Sequence, residues 1–414
     1  MVITKQFPGG LRLVVNKMEG LYSVSMGILV GTGSCFESAE ENGISHFIEH
    51  MMFKGTHKRT AFEISDAMDR IGAQVNAFTS KDITCYYAKS TYDHAEEAFE
   101  ILADFFSDSV FPEEEMVREK GVVCEEIAMT EDTPDDLCRD VLAQAFYGDE
   151  GYGRTILGPA ENVRSFTRED LKKYIEERYN PQNVVVSFAG NIGMEEAVAL
   201  VEKYLSSALI GRPFQKREKK LAFAESSLYK YKDIEQVHIA FGYPSLPRED
   251  KLMDASVLVN NILGGGMSSR LFQTVREKMG LAYTVYSYIS SYTEGSILYI
   301  YAGINPANVG KAQEGIFKAV EDFRRDKFTK EEFLREKEQL KSSLIFSQES
   351  TIAQMTSCAK QMLYKNEVID FSKRIKEIED ITMEDCVQAL ELNYHTQHLA
   401  AAAVGKIKKP LVIR

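Results

Sequence analysis

The amino-acid sequence predicts an α+β fold divided into two similar units. Its 414 residues exceed one typical domain and are enough for two, each able to bury a core of its own. Runs with the apolar pattern of strands alternate with segments of helical periodicity. The order strand, loop, helix and small-residue turn occurs in each half, although the halves share few residues. Together these observations favour helices packed on a sheet in each unit.

The first half contains most of the recognisable elements. Strand-like runs occur at 11–15, 24–30, 83–88 and 183–189. Helical periodicity occurs at 61–71, 94–107, 168–179 and 194–204.

The second half repeats this order more weakly, with a strand at 237–241 and a helix at 253–262. Between the halves the pattern fades through a Gly-Arg-Pro turn and a charged stretch, which is typical of a linker. We therefore predict domains at 1–210 and 229–414, joined by a linker at 211–228.

A short predicted helix carries the most informative motif, His46-Phe47-Ile48-Glu49-His50. Residues four apart on a helix lie one above the other, so His46 and His50 can bind one metal ion. Zinc accepts neutral imidazole, and a catalytic zinc keeps one position open for water. Glu49 is placed to accept a proton from that water. The pattern H-x-x-E-H is the zincin motif in reverse. Because a chance pair of solvent-facing or core histidines gives the same spacing, the motif requires a third ligand.

A second predicted helix, at 111–132, offers that ligand. Pro112 and the three acids that follow it are typical of a helix N-terminus. Glu119 and Glu126 lie on one face of this helix among apolar residues. Burying an isolated carboxylate is costly, so such groups usually pair with a cation or a metal. Surface acids are the alternative in a Glu-rich chain. The apolar neighbours and the incomplete metal site favour Glu126 as the third ligand.

With these residues the chain resembles the pitrilysin or M16 metallopeptidases, which include mitochondrial processing peptidase and insulin-degrading enzyme. Their pattern is H-x-x-E-H followed by a distant glutamate, and the interval from His50 to Glu126 is 126 − 50 = 76 residues. The resemblance implies one zinc ion per chain, bound by His46, His50 and Glu126, with Glu49 as general base. It also implies that Glu119 supports a ligand from behind. The size of the chain resembles the processing-peptidase branch, M16B.

The resemblance extends to residues 72–79, which are similar to a family segment at a sheet edge beside the metal. There Asn76, Ala77 and Phe78 would bind an extended peptide through main-chain hydrogen bonds. An ordinary internal strand is the alternative for this segment.

Residues 276–283 in the second half are similar to the family's substrate-binding pair. Arg276 would hold a substrate carbonyl or chain end, and Tyr283 would donate a hydrogen bond to the scissile carbonyl oxygen. Upstream, the glycines at 264–266 resemble the glycine-rich loop of processing peptidases, and a plain helix terminus is the alternative.

Composition and charge exclude other classes of protein. Hydrophobic residues make up 44% and charged residues 27%, as in soluble globular proteins. The net charge, 49 − 62 = −13, argues against nucleic-acid binding and is compatible either with basic peptides or with simple solubility. No apolar stretch has the length of a membrane span, and residues 1–5 lack the pattern of a signal or transit peptide, so we expect neither. The six cysteines form no C-x-x-C pair, so we expect free thiols and a cytoplasmic protein.

We expect a zinc-dependent endopeptidase that hydrolyses short unstructured peptides or presequence-like segments. The resemblance implies two homologous domains, each a mostly antiparallel sheet packed with helices, and a closed chamber built from four such domains. A homodimer that shares its active site between subunits would supply them, and a non-identical partner chain stays open. A catalytically inactive peptide-binding or structural relative is the alternative, but all the motif residues are present. Ligand type and availability favour zinc over manganese or cobalt.

Overall fold

The computed structural model describes residues 2–206, 210–211, 213–215, 223–395 and 398–413. It divides into two compact units, each made of three chain segments. The first comprises Met1–Ile127, Thr155–Glu218 and Ile345–Phe371, and the second comprises Ala128–Arg154, Lys219–Leu344 and Ser372–Arg414. Each unit contains one sheet and its own helices, which confirms the predicted α+β fold with two domains of similar construction.

The sheet of the first unit has six described strands in the order β1-β2-β6-β3-β5-β4. Its strands are β1 (Val2–Gln6), β2 (Arg12–Lys17), β3 (Ser23–Val30), β4 (Gln74–Thr79), β5 (Thr84–Thr91) and β6 (Val184–Gly190). Only β2 and β6 pair in parallel among these strands, and the other neighbours are antiparallel. The sheet is therefore mostly antiparallel, as predicted.

The sheet of the second unit has five described strands in the order β7-β11-β8-β10-β9. Its strands are β7 (Ser227–Tyr231), β8 (Val237–Ser245), β9 (Ala282–Ser290), β10 (Ser296–Ile304) and β11 (Ala400–Gly405). Its parallel pair, β7 and β11, is at one end of the sheet, and the remaining described pairs are antiparallel. The two sheets thus share one arrangement of five strands, to which β1 is added in the first unit.

Fourteen α-helices lie in the described part of the chain. In the first half they are α1 (Ile44–Met52), α2 (Ala61–Arg70), α3 (Ala95–Asp108), α4 (Glu113–Asp132), α5 (Pro134–Tyr147), α6 (Ala160–Ser165), α7 (Arg168–Arg178) and α8 (Met194–Tyr204). In the second half they are α9 (Met253–Gly264), α10 (Val309–Asp326), α11 (Lys330–Ser347), α12 (Thr351–Lys365), α13 (Phe371–Asp380) and α14 (Met383–Asn393). None of the described helices is long and apolar enough to span a membrane.

The boundaries of several helices follow from local capping. Thr60 begins α2 and Thr167 begins α7, each as the threonine of a capping box. In a capping box the threonine hydroxyl accepts a hydrogen bond from the backbone N–H three residues later. The acidic side chain of that later residue accepts one from the threonine backbone N–H. These local signals explain why the predicted helices at 61–71 and 168–179 agree with the observed ones to within a residue.

The predicted domain boundaries differ from the compact units because the two halves of the chain exchange a helix. Helix α5 belongs to the second unit, where it packs on β7, β8 and β11. Helix α12 belongs to the first unit, where it packs on β2, β3 and β6. The domains at 1–210 and 229–414 stay a prediction, and they group α5 with the first half of the chain and α12 with the second. The predicted linker at 211–228 also runs into β7, and its residues 212 and 216–222 lie outside the described residues.

Helix α12 covers an apolar face of the first sheet. Its buried side chains Met355, Cys358, Ala359 and Met362 pack against Leu29 and other sheet residues. Three polar contacts fix the register of the helix on the sheet. They are Ser25 Oγ to Thr351 Oγ1 at 2.8 Å, Asn16 Nδ2 to Gln354 Oε1 at 3.0 Å, and Ser187 Oγ to the Met355 carbonyl at 2.8 Å. The exchange is therefore a specific packing arrangement of the first unit.

Candidate metal centre

Helix α1 presents the motif by separating an apolar face from a polar one. Phe47, Ile48 and Met51 are fully buried in the core of the first unit. Since α-helical residues three and four apart share a face, His46, Glu49 and His50 lie together on the other side. The side chains of His46 and His50 are 12% and 19% exposed. The packing of α1 therefore turns both imidazoles towards a partly buried site.

Helix α4 brings Glu126 to the two histidines. The Oε2 atom of Glu126 lies 3.6 Å from His46 Nε2 and 3.4 Å from His50 Nε2. The ligand atoms of all three residues lie within 4.8 Å of one another. Four tetrahedral ligands at normal zinc distances are about 3.3 Å apart. Two imidazole nitrogens and one carboxylate oxygen at this spacing thus fit a zinc ion that keeps a fourth position open.

Glu119 connects one histidine to a lysine behind the site. Its Oε2 atom lies 3.0 Å from His50 Nδ1, and its Oε1 atom lies 2.5 Å from Lys54 Nζ. The Glu119 side chain is 7% exposed. A carboxylate at Nδ1 keeps the proton on that nitrogen and leaves the Nε2 lone pair free for a metal. His46 has no such contact, because its Nδ1 atom is buried without a hydrogen-bond partner among the described residues.

Burial and neighbouring charges shift the pKa values of the two histidines in opposite directions. Burial, reinforced by the neighbouring His50, lowers the pKa of His46 to about 3. Burial also acts to lower the pKa of His50, but the hydrogen bond to Glu119 and the charge of Glu126 outweigh it and raise that pKa. His46 is therefore a neutral imidazole over a wide pH range, whereas His50 carries a proton in acid that a metal ion bound there would have to displace.

Glu49 is held by the strand beside the site. The hydroxyl of Thr79, the last residue of β4, donates to Glu49 Oε2 at 2.5 Å. Burial raises the pKa of Glu49 above its usual value, although the Thr79 hydrogen bond and the charge of His50 oppose the shift. A buried carboxylate with a raised pKa is suited to accepting a proton and giving it back near neutral pH.

Strand β4 is at the edge of the described sheet, next to β5 alone. The structure thus places Asn76, Ala77 and Phe78 on an edge strand and not on an internal one. The exposed Asn76 and the half-buried Phe78 lie on alternate positions of the same face. Because its outer backbone groups have no strand partner among the described strands, β4 can accept another extended chain.

Arg276 and Tyr283 lie together in the second unit. Arg276 is in a π-helical turn, Phe272–Lys278, and Tyr283 is the second residue of β9. The Arg276 guanidinium lies 4.5 Å from the centroid of the Phe272 ring and 5.0 Å from that of Tyr283. Tyr283 is 76% exposed. The pair therefore presents a cation stacked on an accessible phenol.

The glycines at 264–266 mark the end of α9, which agrees with the plain helix terminus considered above. A Cβ atom on Gly264 would lie 2.6 Å from the backbone nitrogen of Ser287 in β9. Glycine is required there because helix and strand backbones approach too closely for a side chain.

Sequence reasoning missed two residues that contact the candidate centre, Lys54 and Thr79, and a third, Glu37, that accepts hydrogen bonds from the start of α1. Lys54 lies four residues after His50, so helical spacing could have indicated it. Thr79 stands in the segment that was assigned to the sheet edge, but nothing in the pattern indicates a contact with Glu49. Glu37 lies in a loop before α1 and carries no motif.

Comparisons with known proteins decide the family. The family model described as insulinase (peptidase family M16) matches residues 13–160, and the one described as peptidase M16 inactive domain matches residues 165–340. The uncharacterized zinc protease YmxG of Bacillus subtilis is 42% identical over 396 residues, covering 96% of each chain. The chain belongs to peptidase family M16. The suspected M16B branch stays a prediction.

Other family relatives agree in sequence or in fold. The uncharacterized zinc protease SCO5738 of Streptomyces coelicolor is 34% identical, over 97% of this chain and 89% of that one. A protease from Helicobacter pylori has the same fold with a TM-score of 0.90 and 22% identity, covering 98% and 99% of the two chains. A Pseudomonas fluorescens structure described as a peptidase M16 inactive domain has a TM-score of 0.91 and 20% identity, covering 98% of each chain.

All six cysteines, at positions 35, 85, 124, 138, 358 and 386, are thiols without a disulfide bond in the structure, as the sequence predicted.

Proposed function

We propose that this M16 protein is a zinc-dependent endopeptidase. The observation that carries the proposal is the cluster of His46, His50 and Glu126, whose ligand atoms converge within 4.8 Å. Glu49 adjoins this cluster on the same helix face, where a general base is needed. Relatives of this chain carry the name zinc protease, which supports the choice of metal and of reaction. One zinc ion per chain is proposed.

The residues of the site divide the work of peptide hydrolysis. His46, His50 and Glu126 would hold zinc, which when bound supplies a Lewis acid that acidifies water and polarises a carbonyl. Glu49 accepts the proton of the attacking water and returns it to the leaving amine. Thr79 holds the Glu49 carboxylate by its hydroxyl. Tyr283 is proposed to donate a hydrogen bond to the carbonyl oxygen as it becomes negative, with Arg276 binding substrate.

The proposed substrates are short unstructured peptides or presequence-like segments. An edge strand such as β4 adds a peptide only when that peptide can become extended, which excludes folded proteins. Main-chain pairing makes few demands on sequence. The net charge of −13 supports a preference for basic peptides through long-range attraction.

The test is hydrolysis of a quenched-fluorescent basic peptide by wild type and by Glu49→Gln, with zinc content measured in both. We expect about one zinc in each protein, and a loss of at least about 100-fold in kcat for the variant, because the base is gone while the ligands remain. Glu125→Gln is the matched control, since Glu125 is an exposed neighbour of Glu126. Full activity of Glu49→Gln would contradict the assigned base.

An inactive peptide-binding relative is the second candidate, because the second half matches a family model described as an inactive domain. The same assay separates the two functions. Zinc binding without cleavage across a varied peptide library would favour the binding protein. Absence of zinc after zinc is supplied would remove the basis of the enzyme proposal.

We further propose a homodimer in which Arg276 and Tyr283 of one subunit serve the zinc centre of its partner. A chain carrying Glu49→Gln and a chain carrying Tyr283→Phe should each be weakly active alone. Mixed dimers of the two should regain about a quarter to a half of wild-type activity, because one of the two sites in each mixed dimer has both residues intact. Wild-type chains mixed with each variant are the control. No recovery in verified mixed dimers would rule out a shared site.

A further inference from the structure

The first turn of α1 is bound by a buried carboxylate from outside the helix. Glu37 is 2% exposed and immediately follows the short 3₁₀ turn Ser34–Phe36. Its Oε2 atom accepts from the Gly43 backbone N–H at 2.8 Å, and its Oε1 atom accepts from the Ser45 backbone N–H at 2.9 Å. The side-chain amide of Asn42 donates to Oε2 at 3.0 Å. Both oxygens of Glu37 are therefore engaged at the helix that carries the motif.

A second set of contacts holds the same turn from the other side. The Ser45 hydroxyl lies 2.9 Å from the Tyr174 hydroxyl, which lies 3.2 Å from Thr32 Oγ1. Asn42 also donates to the Thr155 carbonyl at 2.9 Å. The side chains of Thr32, Asn42, Ser45 and Tyr174 are buried, so their hydrogen bonds exchange little with water. The start of α1 is thereby joined to three separate segments of the first unit.

The backbone at Gly43 leaves no room for adjustment. Its φ of 100° is in the left-handed region, and a Cβ atom there would lie 2.5 Å from the Leu157 carbonyl oxygen. Only glycine fits this position, because any other residue would combine an unfavourable φ with a clash against the Leu157 carbonyl. The first turn is thus fixed in position as well as in hydrogen bonding.

This arrangement has a direct consequence for the metal centre. The first N–H groups of a helix have no partners within it, and the helix N-terminus carries a partial positive charge that favours an anion. Glu37 accepts hydrogen bonds from such N–H groups and places a carboxylate at the positive end of the helix. Ser45, whose N–H it binds, immediately precedes His46, so displacement of this turn would rotate His46 relative to Glu126 on α4. A change of about 1 Å in a ligand position is enough to impair a metal site.

We propose that Glu37 is a positioning residue that fixes the first turn of α1 and so sets the zinc affinity of the His46–His50–Glu126 centre. The proposal rests on the zinc site of the proposed function. The hydrogen bonds of Glu37 described above reach Asn42, Gly43 and Ser45, so its effect on the metal centre is carried by the helix.

The test measures the dissociation constant of zinc by chelator competition, without any peptide. In Glu37→Gln, one acceptor oxygen is replaced by an NH₂ group that faces backbone N–H groups, and we expect zinc to bind about 5- to 50-fold more weakly. Glu37→Asp keeps the charge at a shorter reach and should give an intermediate affinity. Glu40→Gln, an exposed change in the same loop, should leave zinc affinity unaltered.

A general loss of stability has to be separated from positioning. Val186→Ala creates a cavity in β6 of the same unit, far from any proposed ligand in sequence, and should lower the unfolding temperature. Its zinc affinity should equal that of wild type. If Val186→Ala and Glu37→Gln weaken zinc equally at equal loss of stability, Glu37 has only a structural role and the proposal is overturned.

Three other outcomes are decisive. Wild-type zinc affinity in folded Glu37→Gln overturns the positioning role and leaves the proposed function standing. Failure of the wild type to bind zinc removes the proposed function itself. If Glu37→Gln does not fold, amide exchange in the metal-free wild type decides. Slow exchange of the Gly43 and Ser45 amides supports the proposal that Glu37 holds them before zinc binds. Exchange as fast as at an uncapped helix end overturns the proposal.

Discussion

Replacing Glu119 by glutamine tests the metal centre most directly, because Glu119 contacts a proposed ligand without binding the metal itself. The change keeps the size of the side chain and removes its charge. In wild type, the carboxylate lies 3.0 Å from His50 Nδ1 and 2.5 Å from Lys54 Nζ. The amide of the Glu119→Gln variant could still accept from His50, but it would do so as a neutral group and would leave Lys54 without its ion pair.

The size of the effect follows from the burial of this contact. With 7% of its side chain exposed, Glu119 is poorly screened by water and salt, so its charge acts strongly on His50. Carboxylates that orient metal-binding imidazoles are typically worth about 10- to 100-fold in metal affinity. We expect zinc to bind Glu119→Gln weaker by this factor, which corresponds to about 1.4 to 2.8 kcal/mol. The charge left on Lys54 acts in the same direction, because it repels a cation.

The assay is chelator competition for zinc at neutral pH, together with thermal unfolding to verify the fold. Glu125→Gln is the matched control, because it removes an equal charge from an exposed position of the same helix. A change of less than about threefold in Glu119→Gln would refute the reasoning, since it would show that the Glu119–His50 contact does not tune the ligand.

Two further predictions concern the base and the pH dependence. Thr79→Val removes the hydroxyl that holds Glu49 and should lower kcat about tenfold with zinc content unchanged. Thr79→Ser keeps the hydroxyl and should retain most activity. Equal kcat in Thr79→Val and wild type would contradict this role. Because the pKa of His50 is raised and that of His46 is lowered to about 3, zinc must displace one proton in weak acid. Zinc affinity should therefore be nearly constant in alkali and fall about tenfold per pH unit below the His50 pKa, and equal dissociation constants at about pH 8 and pH 5.5 would disprove it.

The sequence determined those parts of the protein that depend on local periodicity. The spacing of His46, Glu49 and His50 places them on one face of any helix formed by these residues, and α1 has that form. Capping signals located α2 and α7 to within a residue. Glu126 was identified through its apolar neighbours and the resemblance to a known family, and the structure brings it to the two histidines.

Only the tertiary structure decided which distant segments meet. The exchange of α5 and α12 between the two sheets has no local signal, because an apolar helix face fits either sheet and the choice depends on how the whole chain packs. The same holds for Glu37 and Thr79, whose partners are 8 and 30 residues away. For Glu119 the family resemblance implied a supporting role, and the structure identifies His50, 69 residues away, as its partner. A pattern specifies which face of an element is buried, but the partner on that face is selected by long-range packing and by the need to satisfy buried polar groups. The motif could therefore be found in the sequence, whereas the contacts made by Thr79 and Glu37 could be found only in the fold.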